Sequence, residues 1–428
     1  MANTSISIKS GANLPIARWV YLVQGASDVT RMGGVNNNVY STAQTAYDAA
    51  NALQITLGGS NLVAIKVIGK FLGGVGNITL TTNWNARVSI IGDGPDTSLL
   101  NIITLTNAAG SGFTFGTAAI PVILTGIRLN VGGINTSATG ATGNGGEIAI
   151  TSNSCWLGRI ASLVTNAANT TGNTGNIRVI DVFGETSISS ISNNLSFSPN
   201  TGTTGSIFVK ATGRMFVGGF ENVGVDLPGG SGGGSVYIEN VDANTIDKTT
   251  TSTVAIKNCT FGVLTITSSV QNIYISDTKI SNYIYMDGGT LVSAFLKNVR
   301  IGEDAQFNLL GSIQENYIIY FKQVELWNCY INNSNSISNP GNYANVLTDN
   351  EDILIRDCVI ENVDSLTAQT GAASFVLAID GLINTCKIIN SSITGGQGSI
   401  FASAPTAVDT FSTYIEQPND PNITINPL

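Results

Sequence analysis

The strongest constraint on this chain is a phrase of eight residues that its second half writes seven times. In VAIKNCTF from Val254 and IYISDTKI from Ile273, apolar residues stand at phrase positions 1, 3 and 8, Asn or Asp at position 5 and a small residue at position 6. The order recurs in VYIENVDA from Val236, AFLKNVRI from Ala294, VELWNCYI from Val324, ILIRDCVI from Ile353 and GLINTCKI from Gly381, at intervals of 18, 19, 21, 30, 29 and 28 residues. A second ruler, GEIAI, GNIRV, GSIFV and GSVYI, sets Ile148, Ile177, Ile207 and Val236 apart by 29, 30 and 29 residues. Self-similarity at such a period marks stacked structural repeats.

Within each phrase the alternation of a β-strand breaks once, at positions 4 and 5, so positions 1 and 3 and then 6 and 8 point inward. Such a break is a corner. Asn240, Asn258, Asp277, Asn298, Asn328 and Asp357 occupy it, and Asn and Asp are the non-glycine residues that best tolerate the left-handed backbone a corner needs. Stacked in register, their side chains can hydrogen-bond from one repeat to the next. Strands on either side of a repeated corner predict an all-β chain folded as a parallel β-helix, each turn pairing with its neighbours through the backbone. Position 6 carries Cys259, Cys329, Cys358 and, in the copy from Gly381, Cys386, beside Val241, Thr278 and Val299. All are expected as small core fillers.

Composition narrows the function. The 428 residues carry a net charge of −9, with 19 Lys and Arg scattered along the chain, which argues against a nucleic-acid partner, because phosphates need clustered cations. Histidine is absent, which removes His-based acid–base catalysis and the Ser-His-Asp triad. The five cysteines, Cys155 included, form no Cys-x-x-Cys, so neither a zinc site nor a disulfide framework is indicated, and no metal or cofactor is expected. No apolar run reaches membrane-spanning length and no basic, then apolar, leader opens the sequence, so neither membrane insertion nor a cleaved export signal is expected. The sequons Asn77-Ile-Thr and Asn422-Ile-Thr follow from an Asn- and Thr-rich composition.

The ends of a stacked fold need covers. STAQTAYDAANALQITLGG sets Ala43, Ala46, Tyr47, Ala50 and Leu53 on one helical face between a Ser-Thr start and a Gly-Gly stop, which predicts a capping helix. Residues 1–38 are expected to form an attachment segment, 39–400 the β-helix and 401–428 a capping or assembly tail. The glycine-rich GDGPDT and GGSGGGS lack the strand–loop–helix context of a phosphate cradle and are expected as turns.

The helix followed by VAIKVIG, NITLTTNWNARVSIIGDGPDTSLL and irregular repeats resembles the pectate-lyase-like right-handed β-helix superfamily, above all its bacteriophage tail-spike and virion-appendage members. That resemblance covers about residues 40–400 and implies a right-handed β-helix, a homotrimer and a place on a virion. The superfamily spans glycan lyases and hydrolases, carbohydrate-binding spikes and structural fibres, so the choice among them rests on side chains.

Position 2, an outward position, carries Tyr237, Ala255, Tyr274, Phe295, Glu325, Leu354 and Leu382. Its apolar members, Tyr237, Tyr274, Phe295, Leu354 and Leu382, are expected to face another subunit; a covering loop or a platform for sugar rings are the alternatives. Carboxylates gather at Glu303 and Asp304, at Asp349, Glu351 and Asp352, and at Glu361 and Asp364. Glycoside hydrolysis needs two such groups in opposition, yet each cluster also reads as turn chemistry, and no catalytic residue is assigned. The expected function is a virion structural protein, a spike, head fibre or tail appendage, displayed on the particle exterior and taking part in attachment to a host surface, with its N-terminal segment on other virion proteins and host glycan as a further partner. A virion-borne glycan depolymerase and a bacterial surface adhesin are the rivals.

Overall fold

The computed structural model describes residues 16–71, 73–76, 78, 84–85, 87–93, 98–102, 105–106, 113–115, 124–125, 127–131, 134–135, 148–152, 155–161, 173–181, 186–192, 205–223, 234–249, 253–267, 272–287, 293–302, 316–332, 343–362, 375–381, 383–395, 398–402, 407–416 and 423–426. They are mostly β, in two compact units: Met1–Ser231 with Asn240–Asp242, and Gly232–Glu239 with Ala243–Leu428.

In the first unit, strand Ile16–Val23 buries Val20, Leu22 and Val23 and pairs in parallel with Val39–Tyr40 and with Leu62–Ile68. Leu62–Ile68 pairs in turn with Val88–Ile91. The described part of the expected attachment segment is therefore woven into the sheet that follows it, and the boundary at residue 38 does not separate them. The helix Ala43–Leu57 packs on this sheet. Thr42 caps its first turn by accepting a hydrogen bond from the Thr45 N–H, and Gly58, at φ 62°, ends it in a conformation that side chains resist. Ala43, Ala46, Tyr47, Ala50 and Gln54 are buried, whereas Leu53 is half-buried. Gln54 replaces it because Asn85 donates its side-chain N–H to both Gln54 Oε1 (2.9 Å) and Asn51 Oδ1 (2.7 Å), so the buried amide is satisfied.

Farther along this unit, Phe113–Phe115, Ile148–Ser152, Ile177–Asp181 and the start of Ile207–Val223 form one parallel ladder, with Ile148, Ile177 and Ile207 in register as the second ruler requires. The end of this ladder strand differs from that at the Asn corner. Ile177, Val179 and Asp181 are all buried, and the Asp181 carboxylate accepts the Thr186 N–H at 2.6 Å.

The second unit holds three parallel ladders. The chain visits the first at Gln323–Trp327, the second at Tyr330–Asn332 and the third at Tyr343–Thr348, then returns to the first at Asp352–Arg356. In the first ladder Ile256, Ile275, Leu296, Leu326 and Ile355 stand opposite one another and are each 2% exposed or less. Asn258, Asp277, Asn298, Asn328 and Asp357 all take left-handed backbone, with φ between 50° and 55°, and in the first unit Asn240 does so at 59°.

One register expectation is corrected. Cys386, not Gly381, pairs with Ile353, and Val408 pairs with Cys386. The copies are therefore CKIINSSI from Cys386 and VDTFSTYI from Val408, with Asn390 (φ 48°) and Ser412 (φ 50°) at the corner. Cys386 thus moves from position 6 to position 1, Lys387 takes position 2, and the ladder runs past residue 400. Leu382 itself lies outside the described residues, but position 2 is no longer its place. GLINTCKI matched because Gly381, at φ 98°, follows the third-ladder strand Phe375–Asp380 just as Asp349 (φ 53°) follows Tyr343–Thr348. It is a different left-handed turn with a similar pattern.

Position 6 does more than fill space. The side chains of Cys259, Thr278, Cys329, Cys358, Ser391 and Thr413 each donate back to the carbonyl two residues earlier, at 2.8–3.4 Å. Thr278, Cys358, Ser391 and Thr413 also accept a backbone N–H from the preceding pass, that of Cys259, Cys329, Cys358 and Ser391 in turn. This relay satisfies backbone groups that the corner turns away from the ladder. Cys358→Ser should therefore be tolerated, while Cys358→Val should cost about 1–3 kcal/mol by orphaning the Cys329 N–H; the Arg356 carbonyl keeps the Asn328 N–H. Chemical denaturation compares the two; equal stability would show that the relay is incidental. Cys259, Cys329, Cys358 and Cys386 are free thiols. Burial pushes Cys386 up to about 12, and the hydrogen bond to Cys358 together with burial pushes Cys329 up.

Gly302 tests the closeness of successive passes. Its φ is 75°, and a Cβ there would lie 1.9 Å from the Asn332 carbonyl oxygen. Gly302→Ala should destabilise the second unit by about 1–3 kcal/mol through strain and backbone displacement. An unshifted thermal midpoint would contradict this packing.

Candidate functional site

The outer face of the first ladder in the second unit gathers the most varied chemistry. Its strands are about 4.8 Å apart, and side chains at positions 2 and 4 project from the same side. Position 4 runs Glu239, Lys257, Ser276, Lys297, Trp327, Arg356, Ile389 and Phe411. A cation thus stands on alternate passes, about 10 Å apart by strand spacing. All three cations are exposed. Lys257 Nζ lies 3.9 Å from Glu239, and Arg356 Nε lies 3.3 Å from Asp357 Oδ2, contacts at the surface that hold little energy.

Position 2 runs Tyr237, Ala255, Tyr274, Phe295, Glu325, Leu354, Lys387 and Asp409. Glu325 interrupts the expected apolar stripe, and Lys387 and Asp409 end it where the corrected register removes Leu382. Tyr274 is 50% exposed. The Phe295 and Trp327 rings meet edge to face at 5.8 Å, and the Arg356 guanidinium lies 5.4 Å from the Trp327 ring centroid, a favourable cation–π arrangement. The Trp327 Nε1 donor is buried and meets no hydrogen-bond partner. Tyr237 donates its hydroxyl proton to Glu239, which together with burial raises its pKa to about 12.

Beside this face runs the corner. Asn298 Nδ2 donates to Asp277 Oδ1 (2.8 Å), Asn328 Nδ2 to Asn298 Oδ1 (2.8 Å) and Asn390 Nδ2 to Asp357 Oδ1 (2.6 Å). A carboxylate can accept but not pass a hydrogen bond on, so each run begins at an Asp. Beyond the corner Arg300 lies 5.7 Å from the Tyr330 ring centroid, and Tyr330 donates to Glu361.

No model of a protein family, no curated protein and no solved structure matches this chain. Its side chains must carry the functional argument.

The described members of the carboxylate clusters all have structural work. Asp349 sits in a left-handed turn, Asp352 accepts from Thr385 Oγ1 at 2.7 Å, Glu361 accepts from Tyr330, and the Glu351 backbone bridges Phe321 and Asn384. Glu303, Asp304 and Asp364 lie outside the described residues. Among the described residues no group of three or more His, Cys, Asp or Glu side chains is placed to hold a metal ion, and no helix is long and apolar enough to cross a membrane. In sequence Lys257, Lys297 and Arg356 fall at position 4, a column that reads as mostly solvated; their alternation along one face follows only from the register.

Proposed function

We propose that the ladders close into a right-handed parallel β-helix and that the chain is a structural protein of a bacteriophage virion: a spike, head fibre or tail appendage that helps the particle attach to a host surface. The observation that supports this is the pairing. Ladder partners are parallel and in register from one repeat to the next, and stacking of repeats on their neighbours is the architecture from which extended display surfaces are built. The family resemblance adds a homotrimer on the particle exterior, held to other virion proteins by its N-terminal segment.

The subunit contact fits the C-terminal passes better than the stripe at position 2. Val359, Phe411 and Tyr414 are 39%, 40% and 63% exposed and flank the last corners. Tyr274 and Phe295 share their face with Lys257, Lys297 and Arg356, whose charges would meet their own copies across a three-fold axis. Exposed apolar groups close together on neighbouring passes mark an association surface.

Antibody against the chain, imaged on purified particles by electron microscopy, should label fixed positions on the exterior. Absence of the chain from purified particles would end this reading.

A further inference from the structure

We infer that the face formed by positions 2 and 4 of the first ladder in the second unit binds an extended acidic polysaccharide carrying one acidic group on every second sugar. The inference deepens the attachment reading above and rests on it for its biological sense, though the binding itself can be tested separately.

Three observations converge. Lys257, Lys297 and Arg356 stand on alternate strands of one column and are exposed. Two strand spacings come to about 10 Å, which matches the advance of a disaccharide in an extended glycan. Between the cations lie Tyr274, half open to solvent, and the Phe295–Trp327 pair, flat apolar faces for the C–H sides of sugar rings. Asn272 and Ser276 on one strand and Ser293 on the next offer further partners for hydroxyl groups.

Other polyanions fit less well. Nucleic acid places a phosphate on every nucleotide, closer together than these cations, and a chain of net charge −9 repels it elsewhere. An extended acidic peptide binds a sheet chiefly by adding a strand to a free edge, and the strands of this face are paired on both sides. A sugar polymer needs only the side chains that the face presents.

The test titrates the full-length protein with four probes: hyaluronan oligosaccharides, with one carboxylate per two sugars; oligogalacturonate, with one per sugar; neutral dextran; and poly-glutamate. Hyaluronan should bind best, and more weakly as salt rises. Lys257→Gln, Lys297→Gln and Arg356→Gln should each weaken binding about 2- to 5-fold, and the triple variant at least about 10-fold, with sedimentation unchanged. Tyr274→Ala, with every charge intact, should weaken it about 5-fold. Equal binding of dextran, tighter binding of oligogalacturonate or poly-glutamate, no binding of any probe, or an unaffected triple variant would each overturn the inference. A triple variant that sediments differently would do so too, by making the strip a contact between copies. None of these results touches particle labelling, and failure of labelling with intact hyaluronan binding would remove the attachment reading alone.

Discussion

Leu326→Ala is expected to lower the stability of the second unit by about 2–5 kcal/mol, the cost of lost burial plus the cavity left behind. Leu326 is fully buried and stands in register between Leu296 and Ile355, so the cavity opens in the middle of a column whose neighbours are held by their own ladders and cannot collapse into it. Because each pass contacts only adjacent passes, the damage should be local. Amide exchange should quicken most in Ser293–Lys297, Gln323–Trp327 and Asp352–Arg356, with Ile16–Val23 of the first unit unaffected. Lys322→Ala, at an exposed site, serves as the control and should stay within about 0.5 kcal/mol of wild type. A Leu326→Ala protein as stable as that control would mean that this column is not the core.

Replacing Phe411 and Tyr414 together by Asp should convert the proposed trimer into monomers. Two unpaired charges per subunit, buried at a contact repeated around a three-fold axis, cost several kcal/mol at each copy. The fold of each chain should survive, because both side chains already face solvent in the single chain and the inward residues Val408 and Thr410 are untouched. Analytical sedimentation decides the outcome. An unchanged oligomer would place the contact elsewhere, and a monomeric wild type would remove the trimer from the proposed function.

Much of this architecture is written locally. Alternation at positions 1 and 3, its interruption at position 5 and its resumption at positions 6 and 8 determine which side chains enter the core, because a strand offers only two faces. The same local chemistry selects the corner residue: at φ near 50° a side chain other than Asn or Asp is strained, and Asn258, Asp277, Asn298, Asn328 and Asp357 all adopt that conformation. The helix Ala43–Leu57 was equally legible from its Ser-Thr start and Gly-Gly stop.

What the sequence could not decide was which segments meet. Gly381 and Cys386 both begin a plausible copy, and only backbone pairing chose Cys386, since the length of an irregular connection places no limit on where the next strand begins. Gln54 took the place of Leu53 because the distant Asn85 reaches its amide. Position 6 looked like a column of fillers until the preceding carbonyl and the N–H from the neighbouring pass were found on the same atoms. The row of Lys257, Lys297 and Arg356 spans 100 residues of chain but only four strand spacings of ladder. Periodicity assigns a residue to a face; the stacking of passes alone sets residues remote in sequence side by side, because hydrogen-bond register, not chain distance, determines their separation.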